Sequence, residues 1–108
     1  MCRGLYVSHG QPWVATPGTG DWVRTHERLV NMTEEHKNEI EIIFIGDSIT
    51  NRWQTTGKQL WDKYYVSRHS FNYGIEGDRT ENVLYRVENK EFDGIEHAKV
   101  IVLMIGML

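Results

Sequence analysis

The stretch Glu41-Ile-Ile-Phe-Ile-Gly-Asp-Ser-Ile-Thr-Asn-Arg-Trp53, EIIFIGDSITNRW, decides how the chain is read. Four consecutive apolar residues, Ile42 to Ile45, have the length and β-branching of a strand covered on both faces. The run stops abruptly at Gly46-Asp47-Ser48. Such a corner can hold a serine nucleophile at the carboxyl end of a strand. It is equally an ordinary strand-to-helix turn with a good N-cap.

Upstream, residues 1–20 hold four of the ten glycines and both prolines, Pro12 and Pro17, without periodicity, and read as an irregular arm. From Asp21 the apolar spacing turns helical, with Trp22, His26, Leu29 and Val30 predicting a helix over about Trp22–His36. Downstream, Lys58–Tyr65 predicts a short helix presenting Leu60, Trp61 and Tyr64, and Ser70–Gly74 a second strand. The turn Gly74-Ile-Glu-Gly-Asp-Arg-Thr80 offers Asp78 or Thr80 as N-cap of a helix over about Arg79–Asn89, with Val83, Leu84 and Val87 on one face. The most apolar run, Val100–Ile105, predicts a third strand. The order β-α-β-α-β with continuous apolar strands predicts an α/β fold, a parallel sheet with helices on both faces and right-handed crossovers. Three strands are few for such a sheet, and a strand as apolar as Val100–Ile105 belongs in a sheet interior. The expectation is therefore half of a domain, truncated after the third strand, over residues 21–108.

Composition narrows the function classes. The 108 residues carry twelve basic and fifteen acidic side chains, net charge -3, without the basic footprint of a nucleic-acid binder. No apolar run approaches the roughly 20 residues of a membrane span. One cysteine, Cys2, points to a reducing, cytoplasmic compartment. No Walker motif or metal-spaced Cys/His cluster is present, so no metal and no organic cofactor is expected.

In an open α/β sheet, ligands sit beyond the carboxyl ends of the strands. Three loops leave strands there, after Ile45, after Tyr73 and from Gly106. Ser48 supplies a hydroxyl, and the N–H groups of Ser48 and Gly77 are candidate oxyanion donors. The alternative keeps Ser48 as a helix cap and Gly77 as a turn residue.

Three blocks then carry a resemblance. Phe44-Ile-Gly-Asp-Ser-Ile-Thr50 resembles the first block of the SGNH, or GDSL-type, hydrolases, and Asn72-Tyr-Gly-Ile-Glu-Gly-Asp-Arg-Thr-Glu-Asn-Val-Leu-Tyr-Arg86 resembles their second. Val100-Ile-Val-Leu-Met-Ile-Gly106 resembles the strand leading into the third, where the family continues Gly-Thr-Asn-Asn. Gly20-Asp-Trp-Val-Arg-Thr-His-Glu-Arg-Leu-Val30 resembles the leading helix of the catalytic subunits of intracellular platelet-activating-factor acetylhydrolases of type Ib.

The resemblance implies a flavodoxin-like three-layer fold, sheet order 2-1-3, and a serine esterase acting on short acyl esters of the acetyl-phospholipid class through an acyl-serine intermediate. It implies Ser48 as nucleophile and first oxyanion donor, Gly77 as second donor, and Gly74, Asp78 and Asp47 as residues shaping the loops. Glu76 stands where the family has a small residue, and Met107 where it has threonine. The family's third donor, an asparagine three residues past Gly106, and its Asp-x-x-His pair fall beyond these 108 residues. None of His9, His26, His36, His69 and His97 is placed to replace that base, so the chain alone is expected to be inactive. The resemblance also implies homo- or heterodimers and a WD-repeat partner, so a non-catalytic truncated partner is the alternative. The last alternative is a binding module that uses the two helix starts for a phosphate.

Overall fold

The computed structural model describes residues 11–106. Helix α1 (Asp21–His36) leads into strand β1 (Ile42–Gly46), then a single-turn helix α2 (Ser48–Asn51), a 3-10 turn at Arg52–Gln54 and helix α3 (Lys58–Tyr64). Strand β2 (Ser70–Gly74), helix α4 (Thr80–Glu88) and strand β3 (Val100–Met104) complete the order. The sheet runs β2-β1-β3 and is parallel throughout. Ile43 lies level with Phe71 and Ile101, and Gly46 with Gly74 and Met104. The α/β reading and the predicted 2-1-3 order are both borne out.

Side chains alternate across the sheet. Ile43, Ile45 and Tyr73 face α1 and α4, forming one core with Leu29 and Val83. Phe44 faces the other way, into an aromatic cage of Trp53, Trp61 and Tyr65, with ring centroids 5.0–6.3 Å away. Edge-to-face packing of this kind adds to plain area burial. Helices therefore cover β1 on both faces. Strand β3 is different: all five of its residues are exposed.

Three details differ from the sequence reading. Asp47, and not Ser48, occupies the N-cap of α2, where its carboxylate accepts from the Ile49 N–H at 3.0 Å. The N-cap of α4 is Arg79, whose N–H donates to the Asn82 side chain at 2.9 Å; Asp78 is turned inward to a buried partner, and Thr80 is already helical. Val83 is buried but Val87 is half exposed, because the inward position one turn on from Val83 is taken by Arg86. Apolar periodicity cannot find a buried arginine. The described residues before α1 are tied to α4, with Thr16 N–H donating to Glu81 O and Asn82 donating to Thr16 O. His9 and Cys2 lie outside the described residues.

Candidate active site

Because β1 and β2 are parallel and level at Gly46 and Gly74, the turns that follow them leave the same edge of the sheet side by side. Ser48 begins the first turn and is half buried; Gly77 sits in the second, exposed, with φ of 82°. That left-handed conformation suits glycine, which has no Cβ to clash. Among the described residues, neither the Ser48 nor the Gly77 N–H has a hydrogen-bond acceptor.

The turns are locked to each other by short polar bonds. Asn72 donates to Thr50 O at 2.7 Å, Asn51 donates to Gly74 O at 3.2 Å, and the Gly74 N–H donates to the Asn72 side chain at 2.7 Å. Gly74 is needed for this closeness: a Cβ there would lie 2.4 Å from the Asn51 nitrogen. A Cβ on Gly46 would lie 2.4 Å from Met104 O and closer still to the Thr50 hydroxyl. A cleft of about 180 Å³ opens between the loops, lined by Asp47, Asp78, Thr80 and Gly106 among others. Neither Ser48 nor Gly77 lines it.

Behind the turns lies a buried charge network that sequence reasoning missed. Arg86 is fully buried. Its Nη1 donates to Tyr73 O and to Glu91 Oε1, both at 2.6 Å, and its Nη2 donates to Gly46 O at 3.2 Å. Asp78 Oδ2 stands 2.9 Å from Nη2 as an ion pair whose angles fall outside a hydrogen bond, and Arg86 Nε has no acceptor among the described residues. Trp22 Nε1 donates to Asp78 Oδ1 at 2.5 Å, and His26 Nδ1 lies 2.6 Å from Glu91 Oε2. Burial pushes the carboxyls of Asp78 and Glu91 up, and the Arg86 charge works against it in both. Burial likewise pushes the Tyr73 hydroxyl up to about 12, against the opposing bond to Thr33. The missed signal was Arg86 itself, three residues after Val83 on the inward face.

Among the described residues, no histidine reaches Ser48. His26 stacks on Trp22 and pairs with Glu91, and His36 pairs with Glu39. His69 pairs with Glu41 at the amino-terminal edge of the sheet, and His97 precedes β3. Among the described residues there is no group of three or more His, Cys, Asp or Glu able to hold a metal ion, and no helix long and apolar enough to cross a membrane.

Known proteins resemble this chain in sequence. The chain is 35% identical over 89 residues to platelet-activating factor acetylhydrolase IB subunit alpha1 of Rattus norvegicus and of Homo sapiens. It is also 35% identical to the subunit beta homolog of Drosophila melanogaster. Each match takes in 82% of this chain. The chain is a homologue of the platelet-activating factor acetylhydrolase IB subunits. It spans 36% of the length of the alpha1 subunits and 37% of the Drosophila protein. No family model matches it. The resemblance to these acetylhydrolase subunits is thus borne out by similarity over 89 residues of the chain.

Proposed function

We propose that the chain contributes the nucleophile and two oxyanion donors of an SGNH-type serine ester hydrolase acting on short acyl esters of the acetyl-phospholipid class. The observation that carries this reading is the pair of acceptor-free amides, Ser48 and Gly77, on adjacent turns at one edge of a parallel sheet. In the proposed reaction the Ser48 oxygen attacks the acyl carbonyl while a base takes its proton. The carbonyl oxygen gains the negative charge, and the amides of Ser48 and Gly77 donate to it. Collapse expels the alcohol, which takes the proton back from the base, and water then hydrolyses the acyl-serine. Asp47 braces the serine turn from its N-cap position, and Gly74 and Asp78 shape the second loop.

The base is the missing part. Since no histidine among the described residues reaches Ser48, we propose that residues 21–108 are the amino-terminal part of the hydrolase domain and that the chain by itself does not turn over ester. A cytoplasmic setting fits the acidic balance and single cysteine. The chemistry asks for no metal or organic cofactor. A chimera joining this chain through Gly106 to the remaining sequence of the human alpha1 subunit tests the reading. It should hydrolyse p-nitrophenyl acetate, and Ser48→Ala should lower kcat by at least about 10³-fold. Hydrolysis that survives Ser48→Ala would sink the assignment.

The bare strand β3 favours a second reading, in which the chain is a non-catalytic partner that pairs with subunits of its own family, as homo- or heterodimer, or with a WD-repeat regulator. Co-sedimentation with such a partner, undiminished by Ser48→Ala, is the outcome that would favour it.

A further inference from the structure

We propose that Arg86 is a positioning residue that sets the spacing between the Ser48 and Gly77 amides, an inference that rests on the ester-hydrolase reading above. The residue belongs to α4, outside both turns, and touches neither amide. What it holds are the anchors of each turn. Gly46, whose carbonyl accepts from Nη2, stands two residues before Ser48; that same carbonyl also accepts from the Ile75 N–H at 3.0 Å. Tyr73, whose carbonyl accepts from Nη1, ends in the Gly74 peptide that opens the second loop. Asp78, ion-paired to Nη2, directly follows Gly77. One rigid group therefore grips the strand end behind Ser48 and both ends of the loop that carries Gly77.

Guanidinium chemistry suits this task and ammonium chemistry does not. The fork presents donors at fixed angles in one plane, so Nη1 and Nη2 can each serve two oxygens at once. The four oxygens here come from β1, β2, the second loop and the segment after α4. A lysine in the same place has a single nitrogen and could not span them. Stability alone is a poor reason for the arrangement. Buried ion pairs gain little over apolar replacements of similar volume once desolvation is counted. Geometry at the two turns is the better reason.

The test uses the 108-residue chain and reads amide resonances, so it does not depend on catalysis. In 15N–1H spectra, Arg86→Lys should shift or broaden the Ser48 and Gly77 signals together, while those of Ile43 and Phe71 in the sheet stay in place. Asp78→Asn releases only the arm bearing Gly77, so Gly77 should move and Ser48 should not. If Arg86→Lys loses signal dispersion throughout, Asp78→Asn decides alone. Ser48 and Gly77 signals that stay with the sheet, or that move no more than the sheet signals do, overturn the proposal. An inactive chimera whose parent chain shows these shifts would leave the clamp standing and remove the esterase reading. An active chimera without the shifts would do the reverse.

Discussion

Strands β1 and β3 are near twins in composition, IIFIG and VIVLM, and pair with each other in parallel register. Their surroundings are opposite. Ile43 and Ile45 are 3% and 6% exposed, whereas their level partners Ile101 and Leu103 are 61% and 58% exposed. Composition thus describes what a strand needs, and the layers around it decide whether it gets it. Around β1, α1 and α4 close one face and the cage of Trp53, Trp61 and Tyr65 closes the other. Next to β3, among the described residues, Ile105 just past its end packs against the core, while the five strand residues stay exposed. A strand with two apolar faces and an open edge is a template for pairing.

The largest expected effect lies beneath β1. Arg86→Met leaves Asp78 and Glu91 buried without their counter-charge and should cost about 3–5 kcal/mol of stability in urea unfolding. A loss below 1 kcal/mol, roughly the worth of an exposed ion pair, would mean that the network is not closed to water. Next comes the direct comparison. Ile43→Ala should cost about 2–5 kcal/mol, and Ile101→Ala, at the same level of the sheet, less than about 0.5 kcal/mol. Equal losses would show that β3 is covered in solution, by a second copy or another chain.

A third test works on association instead of stability. Ile101→Lys with Leu103→Lys should shift sedimentation towards monomer while leaving the unfolding midpoint nearly unchanged. If the parent chain already sediments as a monomer at the same concentration, the exposed face is not sticky and the contrast loses its consequence. The smallest effect is at the amino ends of both strands, where Glu41 bonds to Lys99 and His69 and, held chiefly by the Lys99 bond, is lowered to about 2. A carboxyl depressed on folding adds stability above its unfolded value of 4.5 that is lost as pH falls towards 2. Because Glu41 is well solvated, the acid-unfolding curve of Glu41→Gln should differ only slightly from the parent, and only in that window.

Much of this was legible in the sequence, for local reasons. Ser70–Gly74 and the corner at Gly46-Asp47-Ser48 announce themselves within a few residues, through aromatic side chains, glycine and a capping side chain. The sheet order followed from the parallel pattern and from the family resemblance of the blocks. What was not legible depended on partners far along the chain. Trp22 meets Asp78 across 56 residues, and His26 meets Glu91 across 65. The inward face of α4 was misread at Val87 because the oxygens that let Arg86 be buried come from Gly46, Tyr73, Asp78 and Glu91. The bareness of β3 was half seen. Its composition asks for burial, and its position at the edge of the described sheet denies it.

The Gly46 carbonyl has a consequence for the order in which the molecule is built. It is gripped by a side chain 40 residues later in the chain. At about 5–20 residues per second, a ribosome needs on the order of 2–8 s to reach Arg86 after making Gly46. Until then the serine corner can have the bonds from the second strand and its turn, such as Ile75 N–H to the Gly46 carbonyl, but not the grip of Arg86. On the positioning role proposed above for Arg86, the serine corner is complete only once α4 has docked, and a nascent chain carries the hydroxyl before it carries that clamp.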